Sequence, residues 1–595
     1  MCTSIRSYIF TINRNENFVL IGGVCMIFYD FEVFMFDWLV VLIEPFTNTK
    51  TTIVNDVDEL KRFYKCHKND IWIGYNSRGY DSYILKGILC GFDPKEINDW
   101  IIVKKRKGWE YSDLFRNIQL YGFDVASSFH SLKQLEGFMG NDIQETGVSF
   151  NINRPLTEKE IEKTIYYCTH DVMQTIEVFM ERKADFDAHL DLIKTFNLPI
   201  NYISKTQAQL SAIALGCQRQ SHHDEWDITI VDTLKIDKYW HIVEWFKNPN
   251  NYNYSNNYKV DVAGIPHVFG WGGLHGAPNE PIHVRGLLLH VDVTSFYPSI
   301  MIQYDMLSRN VQDKRVYEQI YNKRVELKRQ GKKKEQAPFK IILNATYGIC
   351  KDKYSLAYDP LMANNVCING QLLLLDLIEH LEPYCNLIQS NTDGLIIQIE
   401  DTDEAFEKVD DICYEWEQRT HMGLGFDVIT EIYQKDVNNY IFKFENGDIE
   451  RKGAYVKELS RLDNDLPIIN KALVDYMVNG VSIEETIYNC NELIMFQKIF
   501  KITDRYICGW HNDYDLDGKT FRVFASKNIG DTFIGKVKEK NGVEVIEKFA
   551  NSPEHCFIEN RNVNGVNVPK KLDKDWYIEL AKERLKQYGV ADMEV

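Results

Sequence analysis

The sequence contains no run of about 18 uncharged apolar residues, so no ordinary transmembrane helix can be read from it. Thirteen cysteines are scattered from Cys2 to Cys556 without a Cys-x-x-Cys pair or a Cys/His cluster at zinc-ligand spacing, which leaves free thiols in a reducing compartment as the reading. Internal repeats with a period of about 20 to 50 residues are missing, as are low-complexity tracts, so the chain must be read by its motifs. A basic excess is missing too: a net charge of −18 excludes a protein that coats nucleic acid over its whole surface. The apolar stretch from Val19 to Phe28 is too short to span a bilayer and runs into Tyr29-Asp30 without a small-residue cleavage site, which predicts a first β-strand rather than a signal peptide. His222-His223, the only adjacent histidine pair, reads as a polar surface turn.

What is present is a globular balance, 45% apolar and 26% charged, in a chain long enough for about three or four domain-sized units. A β-like run from Cys25 leads through a mixed segment to a helical stretch from Glu158 to Met180, opened by Pro155-Leu156-Thr157, and predicts one α/β domain ending near 195. The irregular Asn248 to Tyr258 separates it from a Gly-rich turn at 269–276 (FGWGGLHG) and the apolar strand Leu287 to Val291, where a second, larger unit is expected to start. Two basic tracks stand out, Lys104 to Lys107 and the run from Lys323 to Lys340.

Carboxylates recur at the ends of predicted elements. Asp30 and Glu32 alternate along a strand and therefore share a face, where both can address one cation. Asp81 follows the apolar IWIGY and the turn from Asn76 to Tyr80; Tyr167 and Asp171, four apart, share one face of the predicted helix. The buried-strand pattern from Leu287 delivers Asp292 to the edge of a site, and Ser295-Phe296-Tyr297-Pro298 opens a helix whose N–H groups suit a triphosphate. Lys340, Asn344 and Tyr347 stand at i, i+4 and i+7, one stripe of a helix. Leu387 to Ile399 has the pattern of a β-hairpin whose turn projects Asp393.

Taken in order, these residues resemble family B DNA polymerases. Asp-x-Glu, Asn-x-x-x-Tyr-Asp and Tyr-x-x-x-Asp look like the three exonuclease motifs, DVTSFYPSI (292–300) closely matches DxxSLYPSI, and residues 340–348 match Lys-x-x-x-Asn-Ser-x-Tyr-Gly with Ala345 for serine. QSNTDG (389–394) is similar to YxDTDS with three departures: Gln389, Asn391 and Gly394. Asn391 removes a negative charge beside the metal ligands, which bears on metal affinity. The resemblance covers about residues 25 to 455 and implies an α/β multidomain fold, an RNase H-like exonuclease domain followed by a right-hand polymerase. The implied segments are an N-terminal extension (1–24), exonuclease (25–195), connector (196–264), palm (265–310 and 350–456), fingers (311–349), and thumb with C-terminal region (457–595).

The same resemblance implies residue roles. Asp30, Glu32, Asp81 and Asp171 would hold two divalent cations, Tyr167 would orient the attacking water, Lys133 would assist, and Asn76 and Tyr80 would contact a frayed primer end. Asp292 and Asp393 would be the catalytic carboxylates of synthesis, with Val293 among the metal ligands. Tyr297 resembles the steric gate against a ribose 2′-hydroxyl. Ser295, Arg324, Lys328 and Lys340 would meet the incoming triphosphate, Asn344 and Tyr347 the nascent base pair, and Lys452 with Tyr455 the primer terminus. The implied cofactors are Mg²⁺, two at each site, with Mn²⁺ as the alternative; the implied partners are primer–template DNA, deoxynucleoside triphosphates and replication accessory proteins, with no membrane. Only 39 residues separate Ile300 from Lys340 and 42 separate Gly348 from Asn391, which suggests extension of a nucleic-acid primer rather than a protein primer. The compact build and the Asn/Ile/Lys/Tyr-rich composition resemble polymerases of bacteriophages with AT-rich genomes, acting in a bacterial cytoplasm. The rival readings are a nuclease with a decayed synthesis site and a non-catalytic DNA-binding protein.

Overall fold

In the computed structural model, which describes residues 25–126 and 129–590, the apolar run after Cys25 is a hairpin of two strands, β1 (Met26–Val33) and β2 (Trp38–Glu44), not one strand. The break falls where Phe34 N–H donates to the Asp37 carbonyl at 2.7 Å, with Asp37 as the turn-forming polar residue. The extension 1–24, and with it the first part of the strand expected from Val19, lies outside the described residues. The chain is a mixed α/β multidomain protein that divides into two compact units.

One unit comprises Met1–Lys205, Leu459–Pro467 and Asn491–Asp573. Strand β3 (Thr49–Val54) pairs antiparallel with β2, while β4 (Ile71–Gly74) and β5 (Tyr121–Asp124) extend the sheet in parallel beyond β1, giving the order β3-β2-β1-β4-β5. The period of two divides β1: Ile27, Tyr29, Phe31 and Val33 enter a core with Val40, Leu42 and Trp72. Phe28, Asp30 and Glu32 point to the other face. Helices α1 (Asp81–Cys90) and α2 (Leu132–Phe138) follow β4 and β5, and α3 (Glu158–Glu181) packs across β1 and β2, with Phe28 and Phe179 in edge contact at 5.2 Å. Thr157 and Glu160 form the capping box that starts α3, as the Pro155-Leu156-Thr157 signal predicts.

The late segment Asn491–Asp573 forms a three-stranded and a four-stranded antiparallel sheet in this same unit. Its anchor is Arg522, fully buried, whose guanidinium donates to the carbonyls of Gly137 (3.1 Å) and Asn141 (2.7 Å) near the end of α2, to those of Glu559 (3.3 Å) and Arg561 (2.7 Å), and to Gln497 Oε1 (3.0 Å). Burying an arginine requires that its five donors be satisfied, and only these chain segments together do so. The stretch 457–595, expected as one thumb and C-terminal region, is thereby divided: Ile468–Cys490 and Lys574–Val595 belong to the second unit.

The second unit, Thr206–Glu458 with those two segments, is built on nine strands: β6 (Asn257–Val262), β7 (Ile265–Gly270), β8 (His275–Gly276), β9 (Ile282–Val293), β10 (Asn386–Ser390), β11 (Gly394–Gln398), β12 (Leu424–Asp436), β13 (Asn439–Phe444) and β14 (Ile449–Lys452). They run in the order β14-β13-β12-β9-β11-β10-β8-β7-β6. Between β9 and β10 come α4 (Phe296–Gln303), α5 (Lys314–Arg329), α6 (Lys333–Lys351) and α7 (Pro360–Leu381). Gly331 (φ 70°) ends α5, and Lys332 N–H returns to the Leu327 carbonyl at 3.0 Å, so the basic run folds back into α6 as a helical hairpin. Helix α7 has the length and hydropathy of a membrane span, but 94% of its apolar window is buried inside the unit. Its buried Asn365, Asn369 and Asp376 accept backbone N–H groups of Thr229, Val231 and Lys235 at 2.7–2.9 Å, which pins the connector segment along it.

Candidate active sites

In the five-stranded unit, β1 brings Asp30 and Glu32 to the face covered by α3, the turn after β4 brings Asp81, and α3 brings Asp171. Glu32, Asp81 and Asp171 are each buried to less than a tenth exposure. Asp81 Oδ1 accepts the Phe31 N–H at 3.1 Å, which ties the two motifs together through the backbone of β1. Burial together with mutual repulsion drives the Asp30 and Glu32 carboxyls well above the usual carboxylate range, burial raises Asp171, and burial lifts Asp81 to about 7. Lys133 is the cation among them: its ammonium pairs with Asp171 and, at 3.0 Å, with Glu136 Oε1, and lies 4.6 Å from the Tyr167 ring centroid. Although burial opposes its charge, these two carboxylates raise the lysine above its ordinary range. So much negative charge out of water demands compensation, and an oxygen-rich cluster is the donor set that hard divalent cations prefer. The residues fit such ions.

Three groups here were not singled out from the sequence. Cys168, one residue past Tyr167 on α3, directs its thiol at Asp30, to the carbonyl at 3.4 Å and to Oδ2 at 3.6 Å. Glu136, wholly buried, holds Lys133, and His170 Nε2 lies 3.6 Å from its second oxygen. Tyr80 donates its hydroxyl to Asn98 Oδ1 at 2.8 Å, whereas Asn76, in the left-handed region at φ 57°, is exposed, its N–H donating to Asp124 Oδ1 at 2.8 Å. Asp124 also accepts Arg78 N–H at 2.9 Å and so shapes the whole Asn76 to Tyr80 turn.

In the nine-stranded unit, Asp292 sits near the end of β9, the strand flanked by β11 and β12. Its register partners on both sides are glycines, Gly394 and Gly425. A Cβ at Gly394 would stand 2.8 Å from Val291 O and 3.5 Å from Asp292 Oδ1, so the serine of the resembled motif has no room and glycine lets β11 close on the carboxylate. Asp393 lies in the turn between β10 and β11, its carbonyl accepting Val293 N–H at 2.8 Å. Burial, then the charge of Asp393, lifts Asp292 to about 7, with Lys328 pulling the other way. Asn391 spends its side-chain oxygen on the Thr392 N–H at 2.8 Å and is hydrogen-bonded by His275. Gly273 of the FGWGGLHG turn abuts the same place, since a Cβ there would lie 2.3 Å from Thr392 Oγ1.

A cavity of about 460 Å³ collects Asp292, Val293, Ser295, Tyr297, Arg324, Lys328, Asn344, Tyr347 and Asp393 on its walls. Ser295 stands at the N-cap of α4 in the left-handed region (φ 51°), and its hydroxyl does not cap the helix but accepts from Arg324 Nη1 at 2.5 Å. Tyr297 packs on Tyr347, ring centroids 4.7 Å apart, with α7 so close that a Cβ at Gly370 would lie 3.1 Å from Tyr297 Cε1. Lys340 is exposed on α6, one turn before Asn344, and does not line this cavity. Neither do Lys452, whose ammonium lies 5.7 Å from the Tyr440 ring, and Tyr455, covered by the Arg584 guanidinium at 4.0 Å. Asp427 and Glu450, unremarked in the sequence, add negative potential at Asp292. His222 turns to Asn310 Oδ1 at 2.9 Å.

No family model matches this chain, and no curated protein matches it. Among solved structures it is similar to the family B DNA polymerase from the hyperthermophilic archaeon Pyrobaculum calidifontis, with a TM-score of 0.41 and 13% identity over 96% of this chain and 78% of that one.

Proposed function

We propose that the chain is a template-directed DNA polymerase of the family B type with a 3′–5′ proofreading exonuclease. The observation that carries this is the 460 Å³ cavity, where side chains from four separate sequence motifs converge: two carboxylates, an arginine and a lysine for phosphates, and two tyrosines with an asparagine for a base pair. The β3-β2-β1-β4-β5 order supports an RNase H-like exonuclease domain, the nine-stranded sheet a palm, and the α5–α6 hairpin the fingers.

In synthesis, Asp292, Asp393 and the Val293 carbonyl would hold two Mg²⁺ ions, with Mn²⁺ as the alternative, which when bound supply activation of a primer 3′-hydroxyl and neutralise triphosphate and leaving pyrophosphate. Arg324 and Lys328 meet the triphosphate charge, and the Arg324–Ser295 hydrogen bond holds that guanidinium toward the start of α4, whose N–H groups add a positive end. Tyr297, fixed between Tyr347 and α7, excludes a 2′-hydroxyl sterically. In proofreading, Asp30, Glu32, Asp81 and Asp171 would hold the cations, Tyr167 would orient the water, and Lys133, paired with Asp171, opposes the upward push of burial on that carboxyl. Extension of a nucleic-acid primer, replication accessory partners, a bacteriophage origin and a cytoplasmic setting belong to the same reading.

Primer extension with Mg²⁺ and deoxynucleotides tests it. Degradation of primers without any extension would favour the decayed polymerase, and neither activity a non-catalytic DNA-binding protein. Tyr297→Ala is expected to raise ribonucleotide incorporation; unchanged discrimination would remove the gate.

A further inference from the structure

The basic track Lys104 to Lys107 takes no part in either site, yet the fold builds it with care. It follows a π-helical turn, Asp99–Val103, a rare conformation that gathers at functional positions. Trp100 organises the segment: Lys104 Nζ and Arg106 Cζ lie 5.6 and 4.8 Å from its ring centroid, and its indole N–H donates to Lys107 O at 3.1 Å. Lys105, between them, takes the left-handed conformation at φ 54°. All four cations are exposed, and none forms an ion pair with a described carboxylate. Asp504, whose charge Lys105 feels, is already paired with Lys519 at 2.6 Å. Beside the cations, Ile102, Val103 and Trp109 stand 49, 69 and 59% exposed, an apolar surface that water alone does not reward.

Both ends of the loop are fastened to the carboxylate site of the same unit. Asn98, just before the π turn, receives the Tyr80 hydroxyl at 2.8 Å. Gly108, just after the cations, lies against Tyr83, two residues beyond Asp81, so closely that a Cβ would fall 2.2 Å from the ring. Cations for phosphates next to an exposed indole for an unstacked base is the combination that recognises single-stranded nucleic acid; a duplex keeps its base faces hidden.

The geometry points to Lys104–Lys107 and Trp109 as a track that binds single-stranded DNA and leads it to the Asp30, Glu32, Asp81 and Asp171 site. The destination rests on the exonuclease reading; the binding does not. The test measures binding of a labelled oligothymidylate to the full chain in EDTA, where no cleavage competes. Replacing Lys104, Lys105, Arg106 and Lys107 by alanine should weaken binding about a hundredfold and flatten the logarithmic salt slope by roughly 2 to 3, at about 0.7 for each phosphate no longer neutralised. Trp109→Ala should weaken it about tenfold and leave the slope alone. Near-ultraviolet circular dichroism reports whether each variant is folded. With the unaltered chain, photocrosslinking to an oligonucleotide carrying 5-iododeoxyuridine should label the tryptic peptide Gly108–Arg116. Unchanged affinity and slope in the fourfold variant, an equal loss on blunt duplex, or no crosslink in that peptide overturns the inference. Binding that follows these expectations in a protein that never degrades the strand removes the exonuclease reading and leaves the track.

Discussion

In the five-stranded unit Asp30, Glu32, Asp81 and Asp171 gather with one lysine, Lys133, which pairs with Asp171, whereas in the nine-stranded unit Asp292 and Asp393 share their cavity with Arg324 and Lys328. The first site is over-supplied with negative charge, and its carboxyls are driven up chiefly by burial. In the second, burial and the charge of Asp393 lift Asp292 to about 7, and Lys328 opposes them. The difference fits the two chemistries proposed for the chain. Hydrolysis brings only a phosphodiester to the site, so the protein itself must furnish the charge that recruits cations. Synthesis brings a triphosphate whose own oxygens complete the cation shell, so fewer carboxylates suffice and protein cations are needed for the phosphates.

The largest effects should separate the sites completely. Asp393→Ala is expected to lower primer extension at least about a thousandfold and leave single-strand degradation intact, and Asp30→Ala to do the reverse. Loss of both activities from either change would break the comparison. Next, Lys133→Ala strands Asp171 as a buried carboxyl without its cation, leaves Glu136 to His170, and should cost about 3 kcal/mol in thermal unfolding without divalent cations, and less with them. Lys328→Ala, on an exposed helix face, should stay within about 0.5 kcal/mol in the same measurement. Equal costs would mean that the first site is not the over-charged one.

A smaller signature is pH dependence. Carboxyls raised in the folded state bind protons that the unfolded chain has released, so the stability they confer is present at low pH and is lost as pH rises through the folded values. From about pH 5 upward the cation-free midpoint should therefore fall as pH rises, the share that Asp81 and Asp292 contribute being complete above about 7, and Mg²⁺ should oppose the fall. Asp224 and Glu431, held near 2 by their basic partners, titrate below this window. A midpoint that rises with pH would contradict the buried charge. Smallest of all, Asn391→Asp should lower the Mg²⁺ needed for half-maximal extension about threefold, since it restores one charge beside Asp393. No change would mean that the hydrogen bonds to His275 and Thr392, not the charge, are what Asn391 is for.

The alternation of Asp30 and Glu32, the start of α3 after Thr157 and the hairpin around Asp393 were all legible along the chain, because each depends on neighbours one to four residues apart. The stripe of Lys340, Asn344 and Tyr347 is helical as its spacing demands, yet only the latter two reach the cavity; one turn of helix decides that, and spacing cannot. Glu136, His170 and Cys168 gave no motif signal. Each matters only because α2, α3 and β1 meet. The split of 457–595 was hidden for the same reason: Arg522 looks like any strand arginine until Gly137 and Asn141, nearly four hundred residues earlier, offer their carbonyls.

By itself, then, the sequence determined the local elements and the set of chemical groups, since strand alternation, helix caps and turn residues act over a few bonds. Tertiary structure alone decided which groups share a site, which glycines must admit a neighbour, as Gly394 admits Asp292, and how far each carboxyl is pushed from its ordinary range. Desolvation and Coulomb energies depend on distances through space, and a linear sequence does not contain those distances until the chain has folded.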